Sequence, residues 1–108
     1  MTVKEITVTE LKHKLDTNED LLLIDVRESF EKELADLGGT LIPLGELVRR
    51  TDELEEAKQR PVIIYCRSGA RSAEACRMLM RMGFSDVKNL RGGILAWARD
   101  IDPDLPTY

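Results

Sequence analysis

Two apolar runs constrain this chain more than anything else in it. Leu21-Leu22-Leu23-Ile24 and Val62-Ile63-Ile64-Tyr65 are continuous rather than alternating. Such runs suit strands covered on both faces, and that pattern belongs to a parallel sheet packed between helices. Each run ends abruptly in chemistry. The first gives way to Asp25-Val26-Arg27-Glu28, and the second to Cys66-Arg67-Ser68-Gly69-Ala70-Arg71-Ser72. In open α/β sheets, sites form at the carboxyl ends of the strands. The stretch Val62–Ser72 therefore reads as a strand that delivers a thiol into a loop closing on a helix N-terminus. Such a loop can turn backbone N–H groups inward and cradle an anion.

The remaining elements fit around these two runs. Ile6-Thr7-Val8 predicts a short strand, with Thr9 as N-cap of a helix carrying Leu11 and Leu15. Ser29 caps a second predicted helix, with Phe30, Leu34 and Leu37 as its apolar positions and Gly38-Gly39 as its stop. Thr40-Leu41-Ile42 reads as a strand ended by Pro43. Short helical turns follow around Leu44–Val48 and from Thr51 or Asp52 to Ala57. Ser72 is expected to cap a helix reaching about Met82, with Ala75, Cys76, Leu79, Met80 and Met82 facing the core and Gly83 as terminator. Val87-Lys88-Asn89-Leu90 is the last strand. Gly92-Gly93 opens a helix holding Trp97, read as a core anchor. Alternating strands and helices predict one α/β domain spanning 1–108, with a core of about 5–99 and an irregular tail over 100–108.

Composition narrows the function classes. A net charge of −4 argues against a general nucleic-acid partner. Two cysteines and one histidine are too few for a disulfide framework or a zinc site, so neither metal nor cofactor is expected. No apolar run approaches ~18 residues, and Met1–Glu5 lacks the apolar core of a signal peptide. These features lead us to expect a cytoplasmic protein with free thiols and no membrane association. Nothing in the sequence demands more than a monomer.

Cys66 is the candidate nucleophile. Loop N–H groups, a helix dipole, Arg67 and Arg71 would all favour its thiolate. The same cradle suits a persulfide or a phosphate, and loop size separates them. Four residues stand between Cys66 and Arg71. A tetrahedral phosphate asks for a wider ring of donors, whereas one extra sulfur fits a tight one. A Cys–His dyad would need His13, on the first helix, to reach the loop; His13 is read instead as a solvated helix residue. Arg71 is expected to fix the loop or meet a ligand's anionic end, and Arg67 to stand exposed at the loop tip, either plainly solvated or placed to steer an anion. Asp25 and Arg27 are expected to brace the loop, against the alternative of an ordinary surface ion pair. Cys76 is read as core, and the acidic Glu53–Glu56 segment as a solvated face.

Tyr65-Cys66-Arg67-Ser68-Gly69-Ala70-Arg71-Ser72, then Gly83-Phe84, then Asn89-Leu90-Arg91-Gly92-Gly93-Ile94-Leu95-Ala96-Trp97 closely resembles the rhodanese-like sulfurtransferase domain. Asp25-Val26-Arg27-Glu28 and Ile42-Pro43-Leu44 resemble its upstream signatures. The segment Asp36-Leu37-Gly38-Gly39-Thr40 departs from the family pattern, with Asp in place of His. The resemblance implies a three-layer fold, a five-stranded mostly parallel sheet with helices on both faces. It implies that Cys66 takes sulfane sulfur from thiosulfate or another persulfide donor and passes it to cyanide, a thiol or a protein partner. Residues 67 to 72 would form the substrate loop. Related phosphatases carry one more loop residue. Leu41–Leu47 and the tail Asp102–Tyr108 look similar to sulfurtransferase domains fused to adenylyltransferases, which points to the alternative of a persulfide carrier for a dedicated partner. A phosphatase or arsenate reductase using the same thiolate is the third reading.

Overall fold

Five strands form one sheet in the order β1-β5-β4-β2-β3, every neighbouring pair parallel. The computed structural model describes residues 2–108; Met1, which opens the stretch read for a signal peptide, lies outside them. The strands are β1 (Lys4–Ile6), β2 (Leu22–Asp25), β3 (Thr40–Leu41), β4 (Val62–Tyr65) and β5 (Val87–Leu90). All four residues of β4 are buried, because β4 lies mid-sheet with layers on both faces. Its register pairs Ile24 with Ile64 and Val62 with Val87.

Helix α1 (Val8–Asp16) and helix α4 (Gly93–Asp100) cover one face, where Leu11, Ile63, Tyr65, Leu90, Ile94 and Trp97 cluster. Helix α3 (Ala70–Arg81) and two 3-10 segments, Leu44–Glu46 and Thr51–Ala57, cover the other, around Ile24, Ile64, Cys76 and Leu79. Each central strand thus ends on the same edge, and Arg27, Cys66 and Gly92 leave the sheet together there.

Local chemistry moved several boundaries from their expected places. The first strand ends at Ile6, and Thr7, not Thr9, is the N-cap of α1. Its side chain accepts from Glu10 N at 3.1 Å while Glu10 Oε1 accepts from Thr7 N at 3.0 Å. This reciprocal box satisfies two otherwise orphaned N–H groups, and it draws Val8 into the helix, where it is buried. Leu15 is left 37% exposed.

Helix α2 (Ser29–Leu34) inverts its expected face. Its N-cap is Glu28, without a side-chain bond, and not Ser29. Phe30 is 60% exposed and Leu34 48%, while Glu31 is 5% exposed. Leaving Phe30 in water forgoes about 1.5–3 kcal/mol of burial. The compensation lies in what Glu31 meets, described below. The tail after α4 has no regular structure but lies against the core through Ile101, Leu105 and Tyr108. No helix among the described residues is long and apolar enough to cross a membrane.

Candidate active site

Cys66 is the first residue beyond β4 and is buried, on the face shared with Ala75 and Cys76. The chain then turns at Gly69, whose φ of 114° only glycine adopts without strain. That turn points Gly69 N at Cys66 Sγ, 3.1 Å away, and Ser72 N follows at 3.5 Å. Ser72 Oγ lies 3.3 Å from the sulfur. Ser72 does not cap α3, as expected from sequence; Gly69 does, and Ser72 stands in the first turn with its hydroxyl turned inward.

These groups decide the charge of the thiol. Burial pushes Cys66 up, but the hydrogen bonds from the Ser72 side chain, Ser72 N, Gly69 N and Ser68 N outweigh it and hold Cys66 below an ordinary thiol. The site thus favours a thiolate through its own backbone more than through its arginines. Cys76 has no such donors, and burial pushes it up to about 12.

The loop is also held from behind. Ile94 N donates to Cys66 O at 3.0 Å and Leu95 N to Arg67 O at 3.1 Å, so the first turn of α4 spends its free N–H groups on the loop. A Cβ on Gly93 would lie 2.4 Å from Cys66 O, which explains glycine there. Asn89, at the end of β5, donates to Gly69 O at 3.1 Å and faces the Ser72 hydroxyl.

Both arginines are bonded to other parts of the chain. Arg67 does not stand free at the loop tip. Its Nε donates to a Tyr108 main-chain oxygen, and its guanidinium lies 5.3 Å from the Tyr108 ring centroid. Arg71 reaches away from the thiol to Glu31 in a two-pronged pair at 2.7 and 2.8 Å. Arg71 holds the Glu31 carboxyl at about 2 despite burial, with help from the Tyr108 hydroxyl. That hydroxyl donates to Glu31 Oε2 at 2.8 Å and accepts from Arg27 Nη1 at 2.8 Å.

Asp25 and Arg27 are not a surface pair; both are 0% exposed. Arg27 Nε and Nη2 bond the two Asp25 oxygens at 2.9 and 2.8 Å, and Nη2 also donates to Ala35 O at 2.6 Å. A buried pair is worth keeping only when its remaining protons find partners. Here Glu31 O and Tyr108 take them. The result is one chain of contacts running Asp25, Arg27, Tyr108, Glu31, Arg71. Glu31, Asn89 and Tyr108 were not singled out from sequence. Asn89 and Tyr108 do lie within segments that carry the family resemblance, Asn89–Trp97 and Asp102–Tyr108. His13 is exposed on α1, and the surface hollow it lines with Thr9, Glu10, Lys14 and Glu19 includes no loop residue.

Comparison with known proteins decides the family. Residues 7–100 match the Rhodanese-like domain. The chain belongs to the rhodanese-like family. It is 45% identical over 98 residues to a sulfurtransferase of Allochromatium vinosum, covering 90% of each chain. It is 38% identical over 104 residues to the probable adenylyltransferase/sulfurtransferase MoeZ of Mycobacterium tuberculosis, and there it spans only 26% of that protein's length. A rhodanese-like domain protein from Staphylococcus aureus superposes with a TM-score of 0.78 at 31% identity, covering 98% of this chain and 99% of that one. The five-stranded parallel sheet between helices is the family's fold.

Proposed function

We propose that this rhodanese-like domain, spanning 1–108, is a sulfurtransferase in which Cys66 carries the sulfur. The observation behind this reading is the ring of donors 3.1 to 3.5 Å from Cys66 Sγ, Gly69 N, Ser72 N and Ser72 Oγ. The ring is tight, and it favours an anionic sulfur. The relatives named for sulfur transfer support the same reading.

The reaction has two displacements. The Cys66 thiolate attacks the outer sulfur of thiosulfate, an S–S bond forms, and sulfite departs with the electron pair of the broken bond. Another persulfide donor would release its thiolate in the same way. The terminal sulfur of the Cys66 persulfide is then an anion, held by the N–H groups of the loop formed by Arg67, Ser68, Gly69, Ala70, Arg71 and Ser72. An acceptor, cyanide, a thiol or a protein partner, attacks that sulfur and the Cys66 thiolate leaves. Asp25 and Arg27 support the loop.

Intact mass after exposure to thiosulfate or a small persulfide tests the reading. A gain of one sulfur, absent in Cys66→Ser, is expected, together with loss of transfer to cyanide in that variant. No adduct on the wild type, or undiminished transfer by Cys66→Ser, would overturn it. The likeness to MoeZ favours a second reading, a persulfide carrier that serves a dedicated partner. That reading predicts the adduct without appreciable turnover to cyanide.

A further inference from the structure

The charged side chains beside the Cys66 loop are already engaged with one another. Arg27, Arg67 and Arg71 bring positive charge, and Asp25 and Glu31 bring negative charge. Asp25 is matched to Arg27 and Glu31 to Arg71, while Arg67 meets a main-chain oxygen of Tyr108. Arg67 is the residue next to Cys66 in the chain, yet it is committed elsewhere. Its guanidinium lies over the Tyr108 ring and its Nε is spent on a Tyr108 main-chain oxygen. Tyr108 can hold it because its own hydroxyl is pinned between Arg27 Nη1 and Glu31 Oε2, each 2.8 Å away.

We propose that Tyr108 is a positioning residue that sets donor specificity, tying Arg67 away from the Cys66 pocket so that monoanionic sulfur donors are preferred over dianionic ones. This rests on the sulfurtransferase reading above and narrows its donor class. A persulfide R–S–S⁻ gives up its outer sulfur to Cys66 and leaves as R–S⁻, one negative charge entering and one leaving. Thiosulfate brings two charges and leaves as sulfite with two. With Arg67 held aside, the second charge meets no free cation.

Two isosteric pairs separate charge from shape. Methanethiosulfonate differs from thiosulfate by a methyl group in place of one charged oxygen, and it leaves as methanesulfinate. Iodoacetate differs from iodoacetamide in the same sense and reports on Cys66 without any sulfur transfer. In Tyr108→Ala the kcat/KM ratio of thiosulfate to methanethiosulfonate should rise about three- to fivefold, the strength of an exposed ion pair. The iodoacetate to iodoacetamide rate ratio at Cys66, read by intact mass, should rise with it. Both rises should vanish when Arg67→Gln is added. Tyr108→Phe keeps the ring but loses its anchors, and should move both ratios the same way by less; it carries the test where the alanine variant does not fold. Unchanged ratios, or rises that persist without Arg67, would overturn the proposal. Wild type that takes sulfur from neither donor would overturn the sulfurtransferase reading and the donor preference with it, while the alkylation ratios would still report the hold of Tyr108 on Arg67.

Discussion

Ser72 has a single hydroxyl proton and three acceptors within reach of it, Cys66 Sγ, Gly69 O and Asn89 Oδ1. It can serve only one at a time. When Cys66 is a thiolate, the charged acceptor attracts the proton most strongly. A hydrogen bond to a charged group contributes about 1.5–3 kcal/mol, so Ser72→Ala should raise the Cys66 pKa and slow iodoacetamide labelling at neutral pH about tenfold. The pH dependence of the labelling rate checks this: its midpoint should move upward with the limiting rate at high pH unchanged. An unmoved midpoint would mean that the backbone N–H groups alone hold the thiolate. Cys66 and its loop could be singled out from the sequence because thiol, glycine and helix start are adjacent in the chain. The direction of Arg67 could not, since its partner Tyr108 lies 41 residues away.

Elements meet at the loop through backbone, and this makes glycine placement decisive. Gly93 has φ 55°, and an added Cβ would lie 2.4 Å from Cys66 O and 2.7 Å from Arg67 O. The strained backbone alone costs about 1–3 kcal/mol, and the neighbouring atoms are carbonyls that cannot rotate aside. Gly93→Ala should therefore lower the melting temperature by about 10 °C or more and loosen Cys66 even in the molecules that stay folded. Thermal melts, with sulfur uptake measured well below the transition, check both effects. Strands β2 and β4 were legible because continuous apolar runs have few other uses. Helix α2 was not. Its apolar residues follow a helical spacing, but its orientation is decided by Arg71, Tyr108 and the backbone contact of Arg27, all outside the helix. The α1 cap was legible in principle, since Thr7-Val8-Thr9-Glu10 is a capping-box pattern. The adjacent β-branched residues instead suggested a longer strand.

Across the whole molecule, one buried acid joins elements that are distant in sequence. Glu31 on α2 accepts from Arg71 of α3 and from Tyr108 of the tail, and Tyr108 in turn meets Arg27 beyond β2. Bonding to Arg71 holds the Glu31 carboxyl at about 2, well below its ordinary 4.5. The unfolded chain takes up this proton near 4.5, whereas the folded protein refuses it until about 2. Between those values the unfolded state binds more protons, so acid draws the equilibrium toward it. The stabilisation is thus fully present above pH 4.5 and is lost as pH falls through the folded value. A shift of this size corresponds to about 3 kcal/mol at neutral pH, a large part of the ~5–15 kcal/mol that holds a domain together. Glu31→Gln should therefore unfold at lower urea concentration than wild type at pH 7, by about 2–3 kcal/mol. The gap should narrow steadily below pH 4.5 and close near pH 2. Urea melts at several pH values measure it directly. A gap that stays constant with pH would show that the variant loses packing rather than the charged contact, and that the tail is held to the loop by something other than Glu31.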